Sequence, residues 1–429
     1  MKLLVSFNEF LLEKAHNSYN ADLILEGGAA GHMMHPFDDK GLTFDDFRKF
    51  IEAGLQGEMT FDEEPTEKTD GQNVFATVKD GQVLFARNKG QLMAPIDLAG
   101  ITKMFAEHKS ELVRDTFTFA AQDLSSSLTK LKPADQEKYF NNGKNFMNME
   151  LIYSKNPNVI NYDRDVIQFH GIKETDGEGN IIGDMGARSA KEIAKLLDNV
   201  NARAGKVFNI IPPQVLKLQK DIDFETRKPY FMKKVDALQK RYNLTGHDEV
   251  ARYHEMWWRE QIEENFGDLT QDKKEGLLLR WAYEDKKTLN MRTLAKEVTP
   301  EQMEAIKKFD KEDLSKKYKE NIRPFEDLFL ELGSVILKNA SNFVAASPDA
   351  EMQRLHNQIR KEADKIKKGG DIEQIEKVEA ELERLNRIGG IESIIPTEGL
   401  VFKYNGKIYK LTGTFAAINQ LMGIIKYGR

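Results

Sequence analysis

Two hairpin signals stand near opposite ends of this 429-residue chain, and a long helical pattern separates them. The first is Val74-Phe75-Ala76-Thr77-Val78, then Asp80-Gly81, then Val83-Leu84-Phe85-Ala86. The second is Gly399-Leu400-Val401-Phe402, then Asn405-Gly406, then Ile408-Tyr409-Lys410-Leu411. Asp-Gly and Asn-Gly supply the positive φ angles that a two-residue turn needs. Further strand-like runs are Phe117-Thr118-Phe119-Ala120, Asn148-Met149-Glu150-Leu151-Ile152 and Val166-Ile167-Gln168-Phe169. The simplest organisation is an α/β (α+β) domain of residues 1–185 and 391–429, with a helical domain of residues 186–390 inserted into its sheet.

The helical pattern has punctuation of its own. Thr43 with Asp46 predicts a short helix ending near Gly54. Ser189 with Glu192, Thr299-Pro300 and Ser347-Pro348 predict further helix starts. Residues 348–388 are highly charged, with Leu355, Ile359, Ile375, Val378 and Leu382 at helical spacing, and Gly369-Gly370-Asp371 reads as the break of a helical hairpin. The charges there read as a solvated face. Trp257, Trp258 and Trp281 read as core residues rather than stacking platforms.

Composition closes off several classes. Cysteine is absent, which removes disulfides, thiol catalysis and cysteine-ligated zinc and fits a reducing cytoplasm. No run reaches the roughly 18 apolar residues of a membrane helix. Lys2, Asn8 and Glu9 interrupt the apolar start, so no secretory signal is expected. A net charge of −6 gives no global attraction to nucleic acid, so any such binding needs a local basic surface.

The chemistry-bearing residues come in a particular order. Glu67-Lys68-Thr69-Asp70-Gly71 precedes the first hairpin, and Arg87-Asn88-Lys89-Gly90 follows it. Glu150 lies in one strand-like run, and Asp165-Val166-Ile167-Gln168-Phe169 holds another. Glu398-Gly399-Leu400-Val401-Phe402-Lys403 then leads into Lys407 and Lys410. A lysine amine can attack phosphorus only when deprotonated. Cations must neutralise the phosphates, and carboxylates must hold a metal.

This order resembles the superfamily of ATP-dependent DNA ligases, RNA ligases and messenger-RNA capping enzymes. Lys68-Thr69-Asp70-Gly71 is similar to its motif I, Glu150 to motif III, Asp165–Phe169 to motif IIIa and Glu398–Lys403 to motif IV. Lys407 and Lys410 fall where motif V supplies lysines to the α-phosphate. The resemblance implies an ATP-grasp-like nucleotidyltransferase fold with an antiparallel sheet core. It implies ATP as substrate, with Mg²⁺ or Mn²⁺, and a covalent lysyl-AMP on Lys68. Asp70 would hold the metal or orient Lys68, and Glu398 would be a second metal-associated carboxylate. Lys403, Lys407 or Lys410 would stabilise the phosphates. Glu67, Gly71, Asn73, Arg87 and Glu150 would line the nucleotide site, with Phe169 stacking on the base.

Asn73, two residues after Gly71, and Arg87 on the hairpin are closer to the RNA ligase 2-like branch than to DNA ligases. That branch usually has histidine where Asp70 stands. RNA, as in a nicked duplex, is therefore the expected partner ahead of DNA. The family passes from motif IIIa to motif IV in a few tens of residues, whereas here the helical region intervenes, and no oligonucleotide-binding barrel is expected after motif V. By elimination, the helical region is the candidate for gripping the second substrate. Two other readings share parts of this chemistry: an adenylyltransferase acting on a protein or small molecule, and a non-catalytic ATP-binding interaction protein.

Glu26-Gly27-Gly28-Ala29-Ala30-Gly31-His32-Met33-Met34-His35-Pro36 is glycine-rich but lacks the Gly-Lys-Ser/Thr of a phosphate loop, and two histidines alone do not make a metal site. It is faintly similar to proteins of large tailed phages, which would put the chain in a host cytoplasm. His170 is either a nucleotide contact or a sheet histidine.

Overall fold

The computed structural model describes residues 33–185, 207–283, 290–344 and 394–427, together with 192, 195–197, 201, 390 and parts of 350–361 and 372–388. The expected helix starts at Ser189 and Ser347, the break at Gly369-Gly370, and the segment from Glu26 to His32 lie outside the described residues. The fold is mixed α/β with antiparallel sheets. No described helix is long and apolar enough to cross a membrane.

Eleven strands are present among the described residues: β1 (Thr66–Lys68), β2 (Gln72–Lys79), β3 (Gln82–Ala86), β4 (Asn145–Ile152), β5 (Val166–Thr175), β6 (Ile181–Asp184), β7 (Asn209–Ile211), β8 (Lys217–Leu218), β9 (Ala340–Ser341), β10 (Gly399–Tyr404) and β11 (Lys407–Leu411). Both hairpins form as expected, with Asp80, Gly81, Asn405 and Gly406 all at positive φ. The large sheet runs β3-β2-β4-β5-β6 antiparallel, and β7 adds to β5 in parallel. A second sheet runs β1-β10-β11, so the strand holding Lys68 is completed by one from the far end of the chain.

Contacts divide the chain into two compact units. One comprises residues 34–58 and 220–332, the other 59–219 and 333–429. The sequence-based division of 1–185 with 391–429 against 186–390 differs from this at both boundaries. In the helical unit, the helix Phe44–Gln56 begins at the Thr43–Asp46 capping box and closes at Gly57, three residues beyond the expected Gly54. Its Phe44 and Phe47 pack against Phe325, and Phe47 against Phe329. Such partners, far away in sequence, leave no local trace. Trp257, Trp258 and Trp281 are buried there as expected, and Trp281 Nε1 donates to Asp310 at 2.9 Å.

In the other unit, one face of the large sheet is apolar. Val74, Ala76, Phe85, Met147, Met149, Leu151, Ile167 and Phe169 pack with Ile101, Phe105, Phe117 and Leu124. Phe117–Ala120, expected as a strand, lies within the helix Glu111–Leu128. Its alternation is local, whereas Phe117, Ala120, Ala121, Leu124 and Leu128 form the buried helical stripe that prevails. A further helix, Phe415–Tyr427, follows β11 where only strands were expected. It packs with Leu355, Ile359 and Val378 of the charged helical stretch.

Candidate active site

The site is built from the opposite face of the large sheet and one face of the small one. On the small sheet, Lys68 lies opposite Gly399, Thr66 opposite Val401, and Val401 opposite Lys410. Alternation therefore puts Lys68, Lys403 and Lys410 on one face. Glu67, Leu400, Phe402, Tyr409 and Leu411 form the buried face. Gly399 is required by packing, because a Cβ there would stand 2.3 Å from the Leu411 carbonyl oxygen.

On the large sheet, Asn73, Glu150 and Gln168 lie side by side across β2, β4 and β5. The neighbouring row on one side holds Phe75, of a small apolar cluster with Phe146. On the other side lie Ile152 and Val166, which pack with Ile160, Tyr162 and Phe415. The polar strip is thus bordered by Phe75 with Asn148 on one side and by an apolar bank on the other. Asn73 Nδ2 donates to Asn148 Oδ1 at 2.7 Å and to the Met149 carbonyl at 3.2 Å. Arg87 Nε donates to the Asn73 carbonyl at 3.2 Å, while its guanidinium lies 4.4 Å from the Phe117 ring centroid. His170 Nε2 is 3.5 Å from Glu150 Oε2.

Lys68 connects the two surfaces. Its Nζ is 2.5 Å from Glu398 Oε1. Burial pulls the ammonium down, but the Glu398, Glu150 and Asp70 carboxylates outweigh it and hold Lys68 above the ordinary lysine value. Burial pushes Glu398 up to about 7 against the pull of Lys68, with Glu150 adding to the rise. Burial also raises Asp70, although the Ile160 and Val159 amides oppose it. Three carboxylates acting on one ammonium leave an acidic excess at Lys68.

Several expected residues take other roles. Asp70 Oδ2 accepts from the Val159 and Ile160 amides at 2.7 and 2.8 Å, and the Asp70 N–H donates to the Tyr162 hydroxyl at 2.9 Å. Much of that carboxylate is spent anchoring a loop. Gly71 is a close approach, since a Cβ would lie 2.6 Å from the Leu151 carbonyl oxygen and 2.5 Å from Glu150 Cγ. The Glu67 side chain turns away from Lys68, and its Oε2 accepts from the Val344 amide at 2.6 Å. Phe169, expected to stack on the base, is fully buried in the apolar face beside Met149 and Val74. Phe169 follows Gln168 in regular alternation and so faces away from Glu150; the register then shifts between Asn148 and Met149, leaving His170 as the extra residue on β5, beside Glu150. Lys407 pairs with Tyr404 and belongs to the face opposite Lys410.

Among the described residues, no three histidine, aspartate or glutamate side chains are gathered as a metal cage. His35 is held by Asp38, with Nδ1 3.2 Å from Oδ2, at the start of a short 3-10 turn. Tyr162, Asn158 and Thr397 escaped the sequence reading. Asn158 Nδ2 donates to the Gly71 carbonyl at 2.7 Å and Thr397 Oγ1 to the Lys68 carbonyl at 3.2 Å. All three act through folded loops that no local spacing reveals.

No protein-family model, curated protein or solved structure significantly matches the chain. The functional reading therefore rests on the motifs and their geometry.

Proposed function

We propose that the protein is an ATP-dependent polynucleotide ligase working through a lysyl-AMP on Lys68, with RNA as the favoured substrate. The observation that carries this reading is the meeting of Lys68 and Glu398. They are remote in sequence, yet form an ion pair where Glu398 immediately precedes the strand paired with that of Lys68, and the shared face of these strands also presents Lys403 and Lys410.

Lys68 begins as an ammonium and must first lose a proton. Glu398, in contact with it and titrating near neutrality, is the natural acceptor. The Nζ lone pair then forms a bond to the α-phosphorus of ATP as the bond to the bridging oxygen breaks, and pyrophosphate leaves. Lys410 and Lys403 offset charge on the phosphates. A divalent cation, when bound, withdraws charge from the phosphates and orients the leaving group. Glu150 would be its protein ligand, since Glu398 takes the lysine proton and Asp70 already serves two amides. Phosphate oxygens would supply further ligands. A 5′-phosphate oxygen next attacks the AMP phosphorus and releases Lys68, and a 3′-hydroxyl finally displaces AMP to join the strands. The helical unit is the candidate for gripping the polynucleotide.

Incubation with α-labelled ATP and Mg²⁺ tests the first step. Acid-labile label is expected on the wild type and not on Lys68→Ala. Unlabelled wild type, or labelled Lys68→Ala, would overturn the reading. Nicked RNA, DNA and hybrid duplexes test the second step. Label without sealing of any of them would favour an adenylyltransferase acting on a protein or small molecule.

A further inference from the structure

Gln168 is the one member of the polar strip with no partner for its side chain. It is fully buried, and neither its amide oxygen nor its amide nitrogen makes a hydrogen bond. A buried polar group left unpaired loses its hydrogen bonds to water and gains none in return, so such a residue calls for an explanation. Its neighbours are specific. Glu150 lies beside it on β4, Ile211 on β7 and Val166 along its own strand. The amide therefore stands between an aliphatic bank and the carboxylate expected to meet the ribose.

We propose that Gln168 reads the purine base of the nucleotide, pairing its amide with adenine's 6-amino group and the ring nitrogen next to it. This rests on the lysyl-AMP reading of the same site. Strands are spaced about 4.8 Å apart, so a nucleotide whose ribose meets Glu150 can carry its base one strand further on; on the β2 side the Asn73 amide is already engaged, which leaves Gln168 on β5. Adenine offers a donor beside an acceptor, and a glutamine amide offers the complementary acceptor beside a donor. Val166 and Ile211 supply apolar contact, the part that Phe169 cannot play from the other side of the sheet. Gln168 is sealed from solvent in the free protein, so base entry requires side chains above it to part. What binding recovers is the pairing of an amide that the fold leaves unpaired.

The test compares ATP with purine riboside triphosphate, which has hydrogen in place of the 6-amino group, in forming the Lys68 adduct. The wild type is expected to prefer ATP by at least about tenfold in kcat/KM, because loss of the 6-amino group strands one buried hydrogen-bonding group. In Gln168→Leu the two nucleotides should converge, with most of the change on the ATP side. The nucleotide-free Gln168→Leu protein should also melt no lower than wild type, since leucine removes an unpaired buried amide at similar volume. Gln168→Met provides a second variant if leucine prevents folding. An unchanged nucleotide ratio, or a wild type that does not discriminate, would overturn the proposal while leaving lysyl-AMP formation intact. A lowered melting temperature with an unchanged ratio would mark Gln168 as purely structural. No adduct from either nucleotide on the wild type would remove the parent reading and this one with it.

Discussion

A glutamate next to a nucleophile invites a catalytic reading, yet Glu67 belongs to the interior. Its position on β1 sends the side chain to the buried face, where the Val344 amide holds one oxygen. Burial pushes its pKa from the ordinary 4.5 up to about 8. Folded Glu67 is therefore protonated at neutral pH. Below about pH 4.5 it is protonated in both states and costs nothing. Between 4.5 and 8 the unfolded chain releases the proton that the folded protein keeps, so stability falls as pH rises. Glu67→Gln keeps the acceptor for Val344 without the titration. The melting temperature of the variant relative to wild type should climb from pH 4.5 to 8 and then level off. The climb should correspond to a few kcal/mol. A difference that stays flat across this range would contradict the assignment. The motif around Lys68 was legible in the sequence because its residues are contiguous. The orientation of Glu67 was not, because it depends on which face of a three-residue strand the rest of the chain covers.

At the scale of the element, strand alternation decides between two lysines that spacing left equivalent. Lys410 lies opposite Val401, on the face of Lys68, whereas Lys407 lies opposite Tyr404 on the other face. Lys410→Ala is expected to slow lysyl-AMP formation by about 10²-fold, the usual scale for removing one group that stabilises developing charge. Lys407→Ala should stay within about twofold. Single-turnover labelling measures both, and the reverse ranking would invalidate the face assignment. The hairpin itself was readable, since Asn405-Gly406 fixes the turn and the turn fixes the register. Phe169 shows where such reading stops. Its motif position suggested the nucleotide, but alternation with Gln168 and the helices covering Met149 and Val74 put it in the core. Likewise Phe117–Ala120 alternates like a strand until its next two helical turns are counted.

For the whole molecule, the arrangement of cores matters more than the order of motifs. Every residue assigned here to nucleotide chemistry, from Lys68 and Gln168 to Glu398 and Lys410, belongs to the unit of residues 59–219 and 333–429. The helical unit has a separate aromatic interior, in which Trp258 stands 5.0 Å from Trp257 and 6.2 Å from Trp281, centroid to centroid. Helical texture was legible, but the recruitment of Phe44 and Phe47 into that interior was not, because it is a long-range choice among apolar faces. A chain with two cores need not melt as one. Calorimetry is expected to resolve two transitions. ATP with Mg²⁺ at about 100 times its Kd should raise only the one belonging to the sheet-bearing unit, by about 2.7 kcal/mol of stability. Trp258→Ala removes a fully buried ring at a cost of about 3–5 kcal/mol, and should lower only the other. The pairing of perturbation with transition is the discriminating result. If both perturbations move a single shared transition, the two units unfold as one cooperative body.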